Sequence, residues 1–315
     1  MRFWQSVRYK LLIGFCLVMA PMVAFIVYNN LYAIRVVEEQ ISSHYNSLLT
    51  EYVRNNDKSL LDYYHYLINL ERNPSIQNMH VLPTDNDSYT LEKIKLKERL
   101  LVDSIFYNSL IDTFFVYPNK ADELIYAVQY TYNSLAKIEK LRQWARENVP
   151  KGVPDRDRSW RLMRIEDEMF LLKTHDMGNR TISGALVQAE SLRKVLHNFD
   201  IGPDGAAFLT DADGEALVDS AFEPLREPAF RDKIKGRTGI VTGVRHGGES
   251  YLLLSQRSQY ADVYYMVVMK ESYILRNLPF FQTLINFWIP ISAAVILAIY
   301  LLFLQRVMFK PLVRL

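Results

Sequence analysis

Residues 206–220, AAFLTDADGEALVDS, are the stretch from which the fold of this chain can be worked out. Two apolar runs, 206–210 and 215–219, flank the tetrapeptide Asp211-Ala212-Asp213-Gly214. An acidic turn with a glycine between two apolar runs is typical of a β-hairpin, because Asp and Gly suit the backbone angles of tight turns. The spacing therefore predicts two antiparallel strands joined by a turn at 211–214.

The same order of patterns occurs twice along the chain. The first copy has strand-like runs at 111–117 and 123–131 with a turn at 118–120, a helix at 134–148, and strands at 160–165, 169–174 and 181–188. After a short helix at 191–199, the second copy has the hairpin, a helical stretch at 224–234, and strands at 239–244, 251–256 and 263–269. Short connections make the strands antiparallel. We therefore expect an α+β fold of two tandem antiparallel-sheet units, 73–199 and 200–276.

A long helix is predicted ahead of these units, at 35–72. Ile41, Tyr45, Leu48 and Tyr52 recur at helical spacing, and Asn73-Pro74 ends the pattern because proline disfavours helix in the residue before it. A polar loop at 81–89 and a helix at 91–102 follow. The apolar stripe of the long helix can pack on its own domain or pair with a second copy across a dimer axis. We expect both, and hence a homodimer.

The charged residues are segregated along the chain. Residues 11–34 and 277–305 contain no charge, and each run exceeds the length that spans a bilayer. All 35 Asp and Glu lie between the two runs, whereas only basic residues flank them at the chain ends. The positive-inside bias then predicts a cytoplasmic segment 1–10, spans at 11–34 and 280–304, an extracellular segment 35–276, and a cytoplasmic segment 305–315. A cleaved signal peptide is a weaker interpretation of the first run, since a signal core is shorter.

The composition of the chain excludes or disfavours several classes of site and function. The chain has 315 residues with net charge +2 and a single cysteine, Cys16, so it forms no internal disulfide and no multi-cysteine zinc site. The segment 36–276 carries 30 basic and 35 acidic residues and is therefore acidic. Nucleic-acid binding is disfavoured, and the basic residues at the membrane edges suit anionic lipid headgroups. The six histidines lack metal-ligand spacing, so no metal is expected.

This layout resembles the double Cache sensor architecture, whose units are PAS-like. The phrase at 206–220 is similar to the Cache hairpin, and residues 306–315, RVMFKPLVRL, look like the start of a HAMP helix with Pro311, Leu312 and Leu315 as signal-transmitting positions. Taken together, the chain resembles the sensor half of YesM-type sensor histidine kinases. The resemblance implies that ATP and Mg²⁺ are used only in a kinase domain outside these residues, and that a cytoplasmic response regulator is the downstream partner. Within residues 1–315 we expect no cofactor and no catalytic residue.

The same resemblance suggests a ligand site in the first unit. Distal Cache pockets that bind amino acids carry an Arg-x-Trp-Tyr phrase and a later Asp; Arg142 and Trp144 match it, whereas Ala145 replaces the second aromatic residue. With Trp160 and Asp176, these residues would bind an extracellular small molecule, amino-acid-like, or a binding protein. A guanidinium can bind a carboxylate and an aromatic face can line a pocket. The alternative is a helix whose Trp packs on the sheet while its Arg is solvated.

Other function classes are consistent with parts of the sequence. The same outer module could belong to a chemoreceptor or to a membrane-bound transcription regulator. Two S-x-x-K phrases, beginning at Ser134 and Ser191, match the nucleophile motif of penicillin-binding enzymes, but the K-T-G partner motif does not occur. A cell-surface serine enzyme is therefore the weakest of these alternatives. A structural or adaptor protein that is complete at Leu315 is a further one.

Overall fold

A computed structural model describes residues 7–107, 110–128, 134–151, 159–194, 196, 199–219, 222–276 and 289–304. The chain divides into two compact units, one formed by residues 45–269 and the other by residues 1–44 with 270–315. The predicted HAMP start at 305–315, including Pro311, Leu312 and Leu315, lies outside the described residues.

Eight α-helices and nine β-strands are found in the described part of the chain. The helices are α1 (Val7–Leu70), α2 (Pro74–Val81), α3 (Asp87–Phe106), α4 (Ser134–Asn148), α5 (Ala189–Lys194), α6 (Pro228–Ile234), α7 (Glu271–Arg276) and α8 (Ile289–Leu304). The strands are β1 (Ile111–Pro118), β2 (Ile125–Val128), β3 (Arg161–Ile165), β4 (Glu168–Asp176), β5 (Thr181–Gln188), β6 (Ala206–Thr210), β7 (Gly239–His246), β8 (Glu249–Arg257) and β9 (Tyr264–Lys270).

The unit of residues 45–269 contains two sheets. The first has the strand order β2-β1-β5-β4-β3 and the second β6-β9-β8-β7. Every strand pair whose register is resolved is antiparallel. This confirms the mixed α and antiparallel-β fold class. The boundary between the two predicted units at 199/200 stays a prediction, since both sheets lie within one compact unit.

Helix α1 packs against the first sheet through one row of aromatic residues. Its Tyr66 ring centre lies 4.5 Å from that of Phe114 on β1, and Tyr63 lies 6.0 Å from the same ring. Most of its apolar stripe beyond residue 45 is buried, whereas Leu48 is exposed. Within residues 45–70 the stripe therefore packs on its own domain, which leaves little of it for a helix pair across a dimer axis. The buried apolar residues are Leu49, Tyr52, Val53, Leu60, Tyr63, Tyr66, Leu67 and Leu70.

Two local predictions were wrong. The second strand of the 206–220 hairpin does not form: after Gly214 the chain makes one isolated bridge, Thr210 to Ala216, and leaves the sheet. The turn itself forms: Oδ1 of Asp211 accepts the backbone N–H of Asp213 and of Glu215, both at 2.9 Å, and Leu217 donates its N–H to the oxygen of Leu209. Among the described residues, the pairing goes no further than these positions next to the turn. The predicted loop at 81–89 overlaps helices α2 and α3.

The predicted membrane spans at 11–34 and 280–304 stay predictions. Over the described residues, no helix has both the length and the apolar character that crossing a membrane requires.

Candidate ligand-binding site

Helix α4 covers one face of the first sheet and closes a core with it. The helix presents Ile138, Leu141 and Ala145 to this face, at the spacing of one helical stripe. Strand residues of alternate positions meet them, which is the period that one face of a sheet requires. The strand residues of this core are Phe115, Tyr117, Ile165, Phe170, Leu172, Ile182 and Leu186.

An ion pair is enclosed at the end of this core. Lys137 lies on α4 next to Ile138, and its Nζ is 2.6 Å from Oδ2 of Asp112 on β1. Thr113 donates its hydroxyl to the same carboxylate oxygen at 2.6 Å. The Lys137 ammonium also lies 5.6 Å from the centre of the Phe170 ring, within the range of a cation–π contact.

A β-bulge explains how Asp112 joins this pair. Ile111 pairs with Val187 and Thr113 pairs with Leu186, so two residues of β1 span one step of β5 and Asp112 is the extra residue. The bulge interrupts the alternation of β1, and bulges commonly redirect a side chain next to a functional site. Asp112 therefore reaches Lys137 on α4, the helix that covers the sheet. The hydroxyl of the next residue, Thr113, binds the same Asp112 carboxylate.

Burial of this pair is expensive. Lys137 is 5% exposed and Asp112 is 6% exposed, so both charges have left water. The desolvation cost of two buried charges can exceed their attraction, and an apolar pair of equal volume is often as stable or more stable. Stability alone therefore does not account for the pair. What the arrangement offers is one anionic and one cationic group, side by side in an apolar enclosure, each able to bind a group of opposite charge.

The four residues that the sequence suggested do not meet at one place. Arg142 lies on α4 but donates from Nε and Nη2 to the backbone oxygen of Asp122, at 3.0 and 2.6 Å. Trp144 is seven residues after Lys137 on the same helix face and packs against the core beneath α4. Of the four residues, Trp144 is therefore the one that shares the helix face of the buried pair.

Trp160 and Asp176 lie at other points of the sheet. Trp160 is buried just before β3, with its ring 6.4 Å from that of Tyr63 on α1. Asp176 ends β4, and its Oδ1 accepts the N–H of Gly178 in the following turn. The Trp160 ring thus faces α1, and Asp176 holds the β4–β5 turn.

Asp122 is the centre of a separate polar cluster at the edge of the sheet. It adopts a left-handed backbone with φ 46°, and its carboxylate binds Arg146 and accepts the Tyr117 hydroxyl. Arg146 and the hydrogen bond from Tyr117 lower the pKa of Asp122 to about 2. Burial and the neighbouring carboxylate raise the pKa of the Tyr117 hydroxyl to about 12. Arg142 and Arg146 therefore fix the β1–β2 connection onto α4.

Asp112 and Lys137 were not recognised as a site in the sequence, although both break a pattern. Asp112 is an acid inside a run that otherwise favours a buried strand, IDTFFVY, and Lys137 falls on the apolar stripe of α4. One acid on the sheet face and one base on the helix face that covers it is the sequence signal that could have identified this buried ion pair. Among the described residues, no three His, Cys, Asp or Glu side chains are grouped as a metal site.

Comparison with known proteins gives similarities of structure but not of sequence. No family model and no curated protein matches the chain. The ligand-binding domain of Mlp24 with asparagine is 12% identical and covers 76% of this chain and 97% of its own, with a TM-score of 0.45.

Two further structures have the same TM-score of 0.45. The ligand-binding domain of the Pseudomonas aeruginosa PAO1 amino acid chemoreceptor PctC in complex with GABA is 11% identical over 72% of this chain and 99% of its own. The extracellular domain of the presumed histidine kinase rpHK1S-Z16 is 14% identical over 74% and 95%. At these identities no residue of this chain is matched to a residue of known role.

Proposed function

We propose that the chain is the sensing region of a membrane receptor and that residues 45–269 bind a small zwitterionic molecule of the amino acid class. The observation that carries this proposal is the enclosed pair of Asp112 and Lys137. A zwitterion has one ammonium and one carboxylate, and it can replace the single internal ion pair by two, ammonium to Asp112 and carboxylate to Lys137.

The two charges compensate each other by pairing, as long as no ligand is bound. This avoids an isolated buried charge before the ligand enters, which would cost several kcal/mol. Entry of the ligand separates α4 from β1 at this point by the width of the bound groups. A ligand shifts a receptor only through different affinities for two arrangements, and the closed and separated pairs provide two such arrangements. The Phe170 ring and the hydroxyl of Thr113 line the same place and help to orient the ligand.

In this proposal the spans at 11–34 and 280–304 anchor the domain, residues 35–276 face outward, and the signal passes to a HAMP domain that begins at 305–315. The output is a histidine kinase acting on a response regulator, with ATP and Mg²⁺ bound only in that kinase domain. A chemoreceptor or a membrane-bound transcription regulator with the same outer region is the alternative output. The serine-enzyme alternative is less well supported at Ser134, because the amine of Lys137 that would serve as its base is paired with Asp112.

Thermal unfolding of the full chain tests the ligand class. The probes are the proteinogenic L-amino acids, each accompanied by its amine, which lacks the carboxylate, and its carboxylic acid, which lacks the ammonium. A ligand at about 100 times its Kd adds about 2.7 kcal/mol, which raises Tm by about 5–10 °C for a domain of this size. We expect a shift with at least one amino acid and none with its two analogues. An equal shift with the amine or the acid would contradict the zwitterion requirement.

A double substitution tests the site itself. Removing one partner of a buried pair costs about 3–5 kcal/mol, so single variants risk unfolding. The apolar pair Asp112→Leu with Lys137→Met has similar volume and is expected to melt close to the wild-type temperature. We expect this variant to lose the ligand-induced shift. The matched control is Lys93→Met with Glu123→Leu, a partly exposed ion pair of the same unit, which should keep the ligand-induced shift. A shift that survives in the Asp112 and Lys137 variant would refute this location.

A further inference from the structure

Helix α3 carries an apolar surface that no described residue of its own unit covers. It packs inward through Tyr89, Leu96 and Leu100, whereas its opposite side exposes large apolar side chains. We call the five outward positions Leu91, Ile94, Glu98, Leu101 and Ile105 the α3 seam. Its four apolar members are 48–60% exposed. Val102 and Phe106 beside the seam are 61% and 81% exposed.

The size of this surface matches that of one side of a protein interface. An aliphatic side chain presents about 60–120 Å² of apolar surface and a phenylalanine about 150–250 Å². At the exposed fractions found here, the seam with Val102 and Phe106 offers on the order of 400 Å² of apolar area. A stable interface buries about 800 Å² per partner, of which about 57% is apolar. The patch therefore supplies roughly the apolar area that a dimer of standard size needs.

The spacing of the seam identifies what fits it. Positions 91, 94, 98, 101 and 105 repeat at intervals of three, four, three and four, which is the a and d pattern of a two-stranded coiled coil. In a parallel, in-register pair each of the five positions meets its own copy. In an antiparallel pair, a positions pack against d positions. The seam has three a positions and only two d positions, so one a residue at its end would have no d residue to pack against. Parallel pairing thus uses the whole seam.

Charge supports the same arrangement. Glu98 is the one polar residue of the seam and occupies an a position, and the exposed Lys97 precedes it at a g position. In a parallel pair the a residue of one helix lies beside the g residue of the other, so Glu98 of each copy meets Lys97 of its partner. This pairing offsets the repulsion of the two Glu98 carboxylates and fixes the register, because any shift places Glu98 against an apolar layer.

We propose that the α3 seam is a homodimer interface in which two copies of this chain pair α3 with α3, parallel and in register. The α1 stripe within residues 45–70 is mostly buried in its own unit, so it is not the interface within that segment. The inference does not depend on the ligand, and its test needs none.

Disulfide cross-linking of the full chain in membranes tests the pairing. Cys16 is replaced by serine, and Leu91→Cys or Leu101→Cys is introduced singly. Seam positions of a parallel pair approach within the 4.4–6.8 Å between Cα atoms that a disulfide requires, whereas antiparallel a-to-d pairing separates the two copies of residue 91 by roughly 15 Å or more. We expect each variant to shift from 36.8 kDa to twice that mass on a non-reducing gel. Leu135→Cys on α4, which is 82% exposed, is the matched control and should stay monomeric.

A charge exchange makes the result specific. In the Leu101→Cys background, Glu98→Lys would bring Lys97 and the new lysine of both copies together. Because these four like charges repel one another, we expect the cross-linked band to be lost. Adding Lys97→Glu restores the opposite charges and should restore the band. Both changes are at exposed positions, so folding is not at risk. The proposal is overturned if the two seam cysteines cross-link no more than Leu135→Cys or if Glu98→Lys leaves the band unchanged. It is also overturned if cross-linking needs a mixture of Leu91→Cys with Leu101→Cys chains, or of Ile94→Cys with Ile105→Cys chains, which are the a-to-d layers of an antiparallel pair.

Discussion

Among single residues, Gly184 on β5 leaves room for an aromatic ring on the sheet face that α4 covers. The Phe115 ring lies directly over it: a Cβ at this position would be 2.1 Å from Cζ and 2.4 Å from Cε1 of that ring. Phe115 is fully buried under α4 and has no room to turn aside. We expect Gly184→Ala to lower the free energy of unfolding by about 1–3 kcal/mol, the usual cost of overpacking. Thermal unfolding should show a Tm lower by roughly 2–10 °C.

A second substitution distinguishes this clash from a general effect of alanine. Phe115→Leu removes the distal ring atoms that the new methyl group would meet. The double variant should therefore lose less stability than the sum of the two single variants, because residues in contact are not additive. Additive losses would show that the ring is not the cause.

The residues of the candidate site show where sequence reasoning stops at this scale. Trp144 could be assigned to the α4 face from helical spacing, and it does pack there. Asp112 could not be assigned, because strict alternation does not reveal the bulge between Ile111 and Thr113 that brings it to Lys137. Arg142 was assigned to a ligand carboxylate, and its guanidinium donates to the backbone oxygen of Asp122. Sequence spacing could not show that contact, because it depends on the left-handed turn of Asp122.

Among the elements, the β8–β9 turn joins helix α1 to the start of β3. Asp57 on α1 is 4% exposed and accepts the Ser258 hydroxyl and, at 2.8 Å, the N–H of Gln259. On the other side of the turn, Trp160 donates its backbone N–H to the oxygen of Tyr260 at 2.6 Å. A double-mutant cycle with Asp57→Asn and Ser258→Ala should give a coupling free energy of about 0.5–3 kcal/mol. Additive losses in chemical denaturation would contradict a shared contact.

The same aspartate gives a pH dependence. Burial raises the pKa of Asp57, while the hydrogen bonds from Ser258 and Gln259 act in the opposite direction. A folded-state pKa above the unfolded value favours the protonated form in the folded protein, so the contribution of this group is fully present at low pH and is lost as pH rises through the raised pKa. The stability of the wild type relative to Asp57→Asn should therefore be greatest near pH 4 and decrease toward pH 7. An increase over that range would contradict the raised pKa.

Most elements could be predicted from periodicity, and the misses have local causes. The helix at 134–148 and strands β1, β5 and β8 agree closely with the sequence, because each has an apolar pattern of helical or strand period between clear breaks. Helix α2 was missed because Asn73-Pro74 was taken only as a helix end. Asn73 in fact accepts the N–H of Ser75 and Pro74 is the first residue of α2, where proline is favoured. The second hairpin strand was overestimated in length, since its backbone pairing is limited to the positions next to the turn, Asp211 with Glu215 and Leu209 with Leu217.

For the whole molecule, the proposed receptor requires that residues 45–269 and the chain end lie on opposite sides of a membrane. Charge segregation carries this proposal: every acid lies between the two uncharged runs, and basic residues flank them. In intact cells that express the Cys16→Ser chain, a membrane-impermeant maleimide should label Leu135→Cys, because that side chain is exposed on α4. It should label Leu315→Cys only after the cells are permeabilised. Leu141→Cys, buried in the same helix, is the control for accessibility within a folded domain.

Each outcome of this labelling bears on a different part of the proposal. Labelling of both Leu135→Cys and Leu315→Cys before permeabilisation would place residue 315 on the same side of the membrane as the candidate site and remove the path by which a bound ligand could reach a cytoplasmic output. Protection of Leu135→Cys until permeabilisation would place the candidate site in the cytoplasm, so that an extracellular ligand could not enter it. The proposal that the buried pair of Asp112 and Lys137 binds a zwitterion does not depend on either result, since the pair lies between α4 and β1 within residues 45–269. Topology and recognition are therefore tested independently, and only their combination makes the chain a receptor.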